Sequence, residues 1–213
     1  MNTHLLDEIR TACKTVAKSA AHVRIHDDRI ASYATSLKRA SGTPPGLDPA
    51  RHYLGQGEDT ASFFLTLNAV NFGSGYFPHL RKRPGMSGYF TVASSLNDYY
   101  RRHGPLSAEE LTKLHAEDCA KIFGQDLSSG PIRELMDLFA RALNDLGAYL
   151  IKDYDGRFVD LIEAAGDSAE RLVRILSEMP FFNDVENYRS MRIPFFKRAQ
   201  ITAADLSLAF GGD

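Results

Sequence analysis

A lysine set among apolar residues at helical spacing is the feature of this sequence best placed to do chemistry. Ile201, Ala204 and Leu208 lie 4, 7 and 11 residues after Lys197, which puts all four on one stripe of a helix. Lysine is almost never fully buried unless paired, and burial shifts its proton affinity. Two readings stand side by side. Either the stem packs and the ammonium snorkels to water from the first turn, or the cation is aimed into a cavity. Asp205 follows two turns later, and His52 lies far upstream. The run Asn71-Phe72-Gly73-Ser74-Gly75-Tyr76-Phe77-Pro78 brackets aromatic residues with two glycines and a proline. Such a segment is a helix stop held by aromatic packing, or a backbone passing close to a ligand with Phe or Tyr as a stacking wall. It is not the phosphate-binding G-x-G-x-x-G, and it follows a helix rather than a strand.

These residues need elements to hold them, and the elements predicted are helical. Leu5, Leu6, Ile9, Cys13 and Val16 give an amphipathic helix over 4–19. Val23-Arg24-Ile25 alternates and is expected to be extended, and Asp27 is the expected N-cap of a helix through Leu37. His22 and His26 have the spacing of a helical metal pair, but the segment is not helical in pattern and no third ligand is near. Ser41 to Asp48 is a loop by composition. A helix over about 58–71 carries the stripe Phe63, Phe64, Leu67, Val70 and Asn71. Gly85-Met-Ser-Gly-Tyr-Phe90 leads into another, which runs to about Tyr100. Ser107 and Glu110 form a capping box opening a helix whose inner residues continue to Phe123, with His115 and Asp118 near that face. Pro131 opens the longest helix, whose stripe Ile132, Met136, Phe139, Leu143, Leu146, Leu150 steps by 4 and 3. Asp167 with Glu170 is expected to cap a further helix. The last helix is predicted over 192–210, with Pro194 in its first turn and Gly211 and Gly212 at its stop. Because Phe196, Ala199, Ala203, Leu206 and Phe210 form a second apolar face, this helix is expected to be buried and central. No convincing strand is evident. The fold class expected is an all-α globule with short connections.

Composition narrows the function classes. The chain has 213 residues, 44% hydrophobic and 24% charged, with a formal net charge of −2 and a pI near 6.4. No general attraction to nucleic acid or anionic membrane follows from that balance. Arg81-Lys82-Arg83 is a short basic run of the solvated kind. Cys13 and Cys119 form no metal or redox motif and read as small core residues of a protein in a reducing cytoplasm. There is no apolar run of membrane-spanning length. G-x-S-x-G, H-E-x-x-H, P-loop and C-x-x-C patterns are absent.

At these same residues the sequence resembles the queuosine salvage proteins, the queuosine 5′-phosphate N-glycosylases. The landmarks are His52 ahead of a hydrophobic helix; Leu67-Asn-Ala-Val-Asn-Phe-Gly-Ser-Gly-Tyr-Phe77; Ser87-Gly-Tyr-Phe90; Phe182-Asn-Asp-Val185; and Phe196-Lys-Arg-Ala-Gln-Ile201. The resemblance runs from about residue 20 to the end. It implies an α-helical architecture similar to DNA glycosylases. It also implies hydrolysis of queuosine 5′-phosphate to queuine and ribose 5-phosphate, without metal or organic cofactor. The partner implied is a small-molecule nucleotide, with no membrane and no direct nucleic acid contact. Lys197 is implied in the active site, serving the phosphate or ordering the catalytic carboxylate. His52 is implied in base contacts, and Asn71, Phe72 and Tyr89 as pocket walls. Asp205 is expected to be structural.

One departure accompanies the match. In the family, the helix carrying the counterpart of Lys197 is followed by a Phe-Ala-Asp motif that bears the catalytic aspartate, whereas this sequence stops at Asp213. The expectation is a single helical domain over 1–213 that lacks a C-terminal portion and has little or no activity alone. Exposed apolar surface is then expected near Phe196, Ala203 and Phe210. The competing expectation is a non-catalytic helical binding module for a nucleotide, RNA or protein partner.

Overall fold

The computed structural model describes residues 5–37 and 46–211. Periodicity predicts helices, and helices dominate: among the described residues there are ten α-helices and one short 3-10 helix (Ser74–Tyr76), with one two-stranded antiparallel sheet. The stop residue Gly212 and most of the Ser41 to Asp48 loop fall outside the described residues. No described helix is long and apolar enough to cross a membrane. Backbone proximity divides the chain into two compact units, residues 1–46 with 185–195, and residues 47–184 with 196–213.

The smaller unit holds α1 (Leu5–Ser19), α2 (Asp27–Ser36), β1 (Val185–Tyr188) and β2 (Met191–Pro194). α1 packs on β2, and the Tyr188 hydroxyl donates to the Ser19 carbonyl at 3.5 Å. Asp7 and Glu8 in the first turn and Lys18 in the last suit the dipole of α1. Cys13 is half-buried. Val23 and Ile25 form no strand and are exposed. The hairpin corrects the predicted start of the last helix. Arg192 and Pro194 belong to β2, in register with Asn187 and Val185. Pro194 sits at the open end of the ladder, where a missing N–H costs least. The connection is Arg189-Ser190, with Arg189 at φ 55°. It lacks the Asn-Gly or Asp-Gly that signals such turns, so the pattern gave no warning of it.

The larger unit is built around α3 (Glu58–Ala69), in which every residue from Thr60 to Ala69 is buried. The predicted central helix is therefore replaced by this one. Its buried polar groups have partners: Ser62 Oγ donates to the Leu106 carbonyl at 3.1 Å and lies 2.9 Å from Tyr100 Oη, which donates to Thr66 Oγ1 at 3.1 Å. Around it lie α4 (Gly88–His103), α5 (Ala108–Leu111), α6 (Ala116–Phe123), α7 (Gly130–Asp153), α8 (Phe158–Glu163), α9 (Ala169–Leu176) and α10 (Lys197–Phe210). The Ser107–Glu110 capping box is present, but the predicted helix beyond it is two, because His115 starts α6 and its backbone N–H donates to Asp118 at 3.1 Å. The cap of α9 is Ser168 rather than Asp167, which takes a left-handed φ of 57°. Gly147 brings α7 against α5: a Cβ there would lie 2.5 Å from the Ala108 carbonyl oxygen.

The first turn of α8 is capped from α3. Glu58 Oε1 accepts from the Phe158 N–H at 2.6 Å, and Oε2 from the Val159 N–H at 2.9 Å. Charge-assisted bonds of this kind contribute about 1.5–3 kcal/mol each. Glu58→Ala is expected to cost about 2–4 kcal/mol in a urea unfolding measurement, with part of the loss recovered by Glu58→Gln. A variant as stable as wild type would show that α8 needs no external cap.

α10 begins after Phe196, whose backbone is left-handed at φ 46°. Ala199, Thr202, Ala203 and Leu206 are its buried residues. The stripe through Lys197, Ala204 and Leu208 is exposed instead. Of the three positions expected to expose apolar surface, Phe196 and Ala203 are buried and Phe210 is exposed.

Candidate functional site

Two asparagines at the end of α3 build the centre of the site. Asn68 is fully buried, and Asn71, three residues later, donates through Nδ2 to its Oδ1 at 3.1 Å. That leaves the Asn68 amide nitrogen aimed at α10, where it donates to Asp205 Oδ2 at 2.9 Å. Burial raises the Asp205 carboxyl above the ordinary carboxylate value, while the hydrogen bond from Asn68 acts in the opposite direction.

His52 is held by the turn before α3. The backbone N–H groups of Arg51 and His52 both donate to the Asp48 carbonyl at 2.8 Å, and Asp48 Oδ1 accepts from the Ala50 N–H at 2.9 Å. The Asp48 N–H in turn donates to His52 Nδ1 at 3.0 Å. A neutral imidazole with Nδ1 accepting carries its proton on Nε2. Burial lowers the pKa of His52, against the charges of Asp205 and Asp48, so the ring is neutral at pH 7. It stacks on Phe64 with centroids 5.9 Å apart and planes at 28°.

Tyr89 enters from the first turn of α4, which Ser87 caps through the Phe90 N–H at 3.2 Å. Its hydroxyl is half-buried and pushed up to about 12, first by burial and then by the charge of Asp205. His52, Tyr89 and Asn68, from three different segments, thus all feel the same carboxylate.

Phe72 forms an adjoining wall. It stacks on Phe181 at 5.5 Å and 30°, meets Phe139 edge-on at 5.3 Å, and lies 5.0 Å below the Arg198 guanidinium. Gly73 is required next to it: φ is 81°, and a Cβ would lie 2.5 Å from Leu135 Cδ1. Arg198 is lowered in pKa by burial, against the charge of Asp184. Lys197 is exposed, and its backbone N–H donates to Asp184 Oδ2 at 3.2 Å. Seven residues separate Arg198 from Asp205, nearly two whole turns, so these two share a face of α10 while Lys197 is rotated away from it.

Of the residues singled out in the sequence, His52, Asn71 and Tyr89 gather with Asp205, Phe72 lies beside Asn71, and Lys197 stands at the start of the same helix. Sequence reasoning missed Asn68 and Arg198. The available signals were the three-residue spacing of Asn68 to Asn71 in an apolar helix and the seven-residue spacing of Arg198 to Asp205. Among the described residues no three His, Cys, Asp or Glu side chains are placed to share a metal ion. The arrangement suits a planar, polar heterocycle: an imidazole donor, a phenol and a fixed carboxylate acceptor beside aromatic faces.

Residues 51–213 match the family described as queuosine salvage protein. The queuosine 5′-phosphate N-glycosylase/hydrolase of Sphaerobacter thermophilus is 35% identical over 209 residues, 96% of this chain and 64% of that protein. Its namesake in Mus musculus is 31% identical over 56% of this chain and 35% of the relative. In Dictyostelium discoideum the figures are 28%, 73% and 45%. The chain therefore spans less than two thirds of the length of these curated relatives. The match opens one residue before His52 and runs through Asn68, Asn71, Tyr89 and Asp205, and this chain belongs to the queuosine salvage protein family.

Proposed function

We propose that the protein hydrolyses the N-glycosidic bond of queuosine 5′-phosphate, adding water to release queuine and ribose 5-phosphate in the cytoplasm. The observation that supports this most is that the family match spans a cluster already suited to a heterocyclic base. On this reading His52, Asn71, Phe72 and Tyr89 hold the deazapurine. Cleavage of an N-glycosidic bond passes through an oxocarbenium-like sugar. The enzyme must favour positive charge at the anomeric carbon and hold the departing base. Lys197 is the catalytic cation in this proposal. It serves the 5′-phosphate, or holds the carboxylate that faces the sugar in its ionised form.

The test is to incubate the full-length protein with queuosine 5′-phosphate and follow queuine by mass spectrometry at low and high salt. The expected outcome is release of queuine with shallow salt dependence. Failure to release queuine, together with RNA binding that falls steeply with salt, would overturn the proposal in favour of a binding module.

A further inference from the structure

We propose that Asp205 is a specificity-determining residue that reads the donor edge of a guanine-type base. This rests on the nucleotide-hydrolase reading above and goes beyond it by assigning the group that selects the base. The carboxylate is preset rather than free to rotate. The chain Asn71 to Asn68 to Asp205 fixes it through Oδ2, and no hydrogen bond from the described residues occupies Oδ1. Each carboxylate oxygen has two acceptor sites, so the pair can take two N–H groups side by side even with Asn68 in place. His52, with Nδ1 occupied by the Asp48 N–H, adds one donor at Nε2.

Together these groups offer two acceptors and one donor. The pyrimidine edge of a guanine-type base, which the 7-deazaguanine core of queuine shares, offers the complement: the exocyclic amino group, the ring N1–H and the carbonyl oxygen. An adenine-type edge puts a lone pair where the ring N–H should be and faces it with a carboxylate. Removing only the exocyclic amino group leaves one fixed acceptor unmatched. Sites built around such pairs discriminate strongly, because the unmatched buried group has no alternative partner.

The experiment uses 7-deazaguanosine 5′-phosphate and 7-deazainosine 5′-phosphate, which differ only in that amino group, with calorimetric titration of the full-length protein. Wild type is expected to prefer the first by about ten- to a hundredfold, the usual worth of one bidentate contact. Asp205→Asn, which presents an N–H₂ to the ring N–H, is expected to reduce the preference below about threefold. Its melting temperature should be no lower than that of wild type, because a carboxylate that burial disfavours becomes neutral. Equal binding of the two nucleotides by wild type, or an undiminished preference in Asp205→Asn, overturns the inference. Queuine release without amino-group preference overturns it while leaving the hydrolase reading intact. Neither binding nor release overturns both.

Discussion

Replacing Lys197 by methionine is expected to lower kcat/KM for queuosine 5′-phosphate by at least about a hundredfold, the scale of one preorganised electrostatic group. The melting temperature of the full-length protein should stay the same or rise slightly. The two halves of this expectation have one origin. Lys197 is the first residue of α10 and Arg198 the second, and the helix has no acidic residue in its first turn. That end carries the positive pole of the macrodipole, where a cation is unfavourable by about 0.3–1 kcal/mol. The helices α1, α3, α5 and α6 all begin with carboxylates, as stability alone would favour. The Lys197 side chain is exposed, and the contact that anchors this turn, its backbone N–H to Asp184, survives replacement by methionine or arginine. Stability therefore gives no reason for a lysine here, and the proposed chemistry does. Lys197→Arg keeps the charge but changes its shape and reach, and should fall between the two. Full turnover by Lys197→Met would remove the residue from the catalytic machinery.

The same helix shows where a sequence stops being informative. α10 has two apolar stripes, one through Lys197, Ile201, Ala204 and Leu208, the other through Phe196, Ala199, Ala203 and Leu206. Periodicity locates both and cannot choose between them. The choice is made by a contact 137 residues away in sequence, Asn68 to Asp205, which turns the second stripe inward and leaves Lys197 in solvent. The central place of α3 was hidden for a related reason. Thr60, Ser62, Thr66 and Asn68 make it look less apolar than a central helix should, and the partners of the last three, Tyr100, Leu106 and Asp205, lie elsewhere in the chain. By contrast the Ser107–Glu110 capping box was legible because it is a local device of four residues. The stripe of α7 was legible because it repeats over about five turns. His52 and the Asn71–Phe72 segment were visible as residue types beside a helix, but their meeting at Asp205 is a property of the tertiary fold. Asp205 reads as structural from sequence, and only the fold shows that its carboxylate meets Asn68 of α3.

Phe139→Ala carries the largest expected cost in stability, about 3–5 kcal/mol, and should also weaken nucleotide binding. Phe139 is fully buried on α7. Its ring meets Phe123 at 5.3 Å and 73°, and Phe72 at 5.3 Å and 88°, both edge-on contacts of the favourable kind. One side of Phe139 is therefore core and the other is the support of the site wall. Truncation leaves a cavity directly behind Phe72, which is held otherwise by Phe181 in front and Arg198 above. The void lets Phe72 sink away from its place in the site wall, and a small misplacement is costly in a preorganised site. Phe139→Leu fills most of the space and should cost only about 1–2 kcal/mol, with binding largely retained. Urea denaturation would read the first effect and titration with 7-deazaguanosine 5′-phosphate at low temperature the second. If Phe139→Ala lost stability and bound the nucleotide as wild type does, Phe72 would be positioned by Phe181 and Arg198 alone. The path from the core of α7 to the base would then end at Phe139.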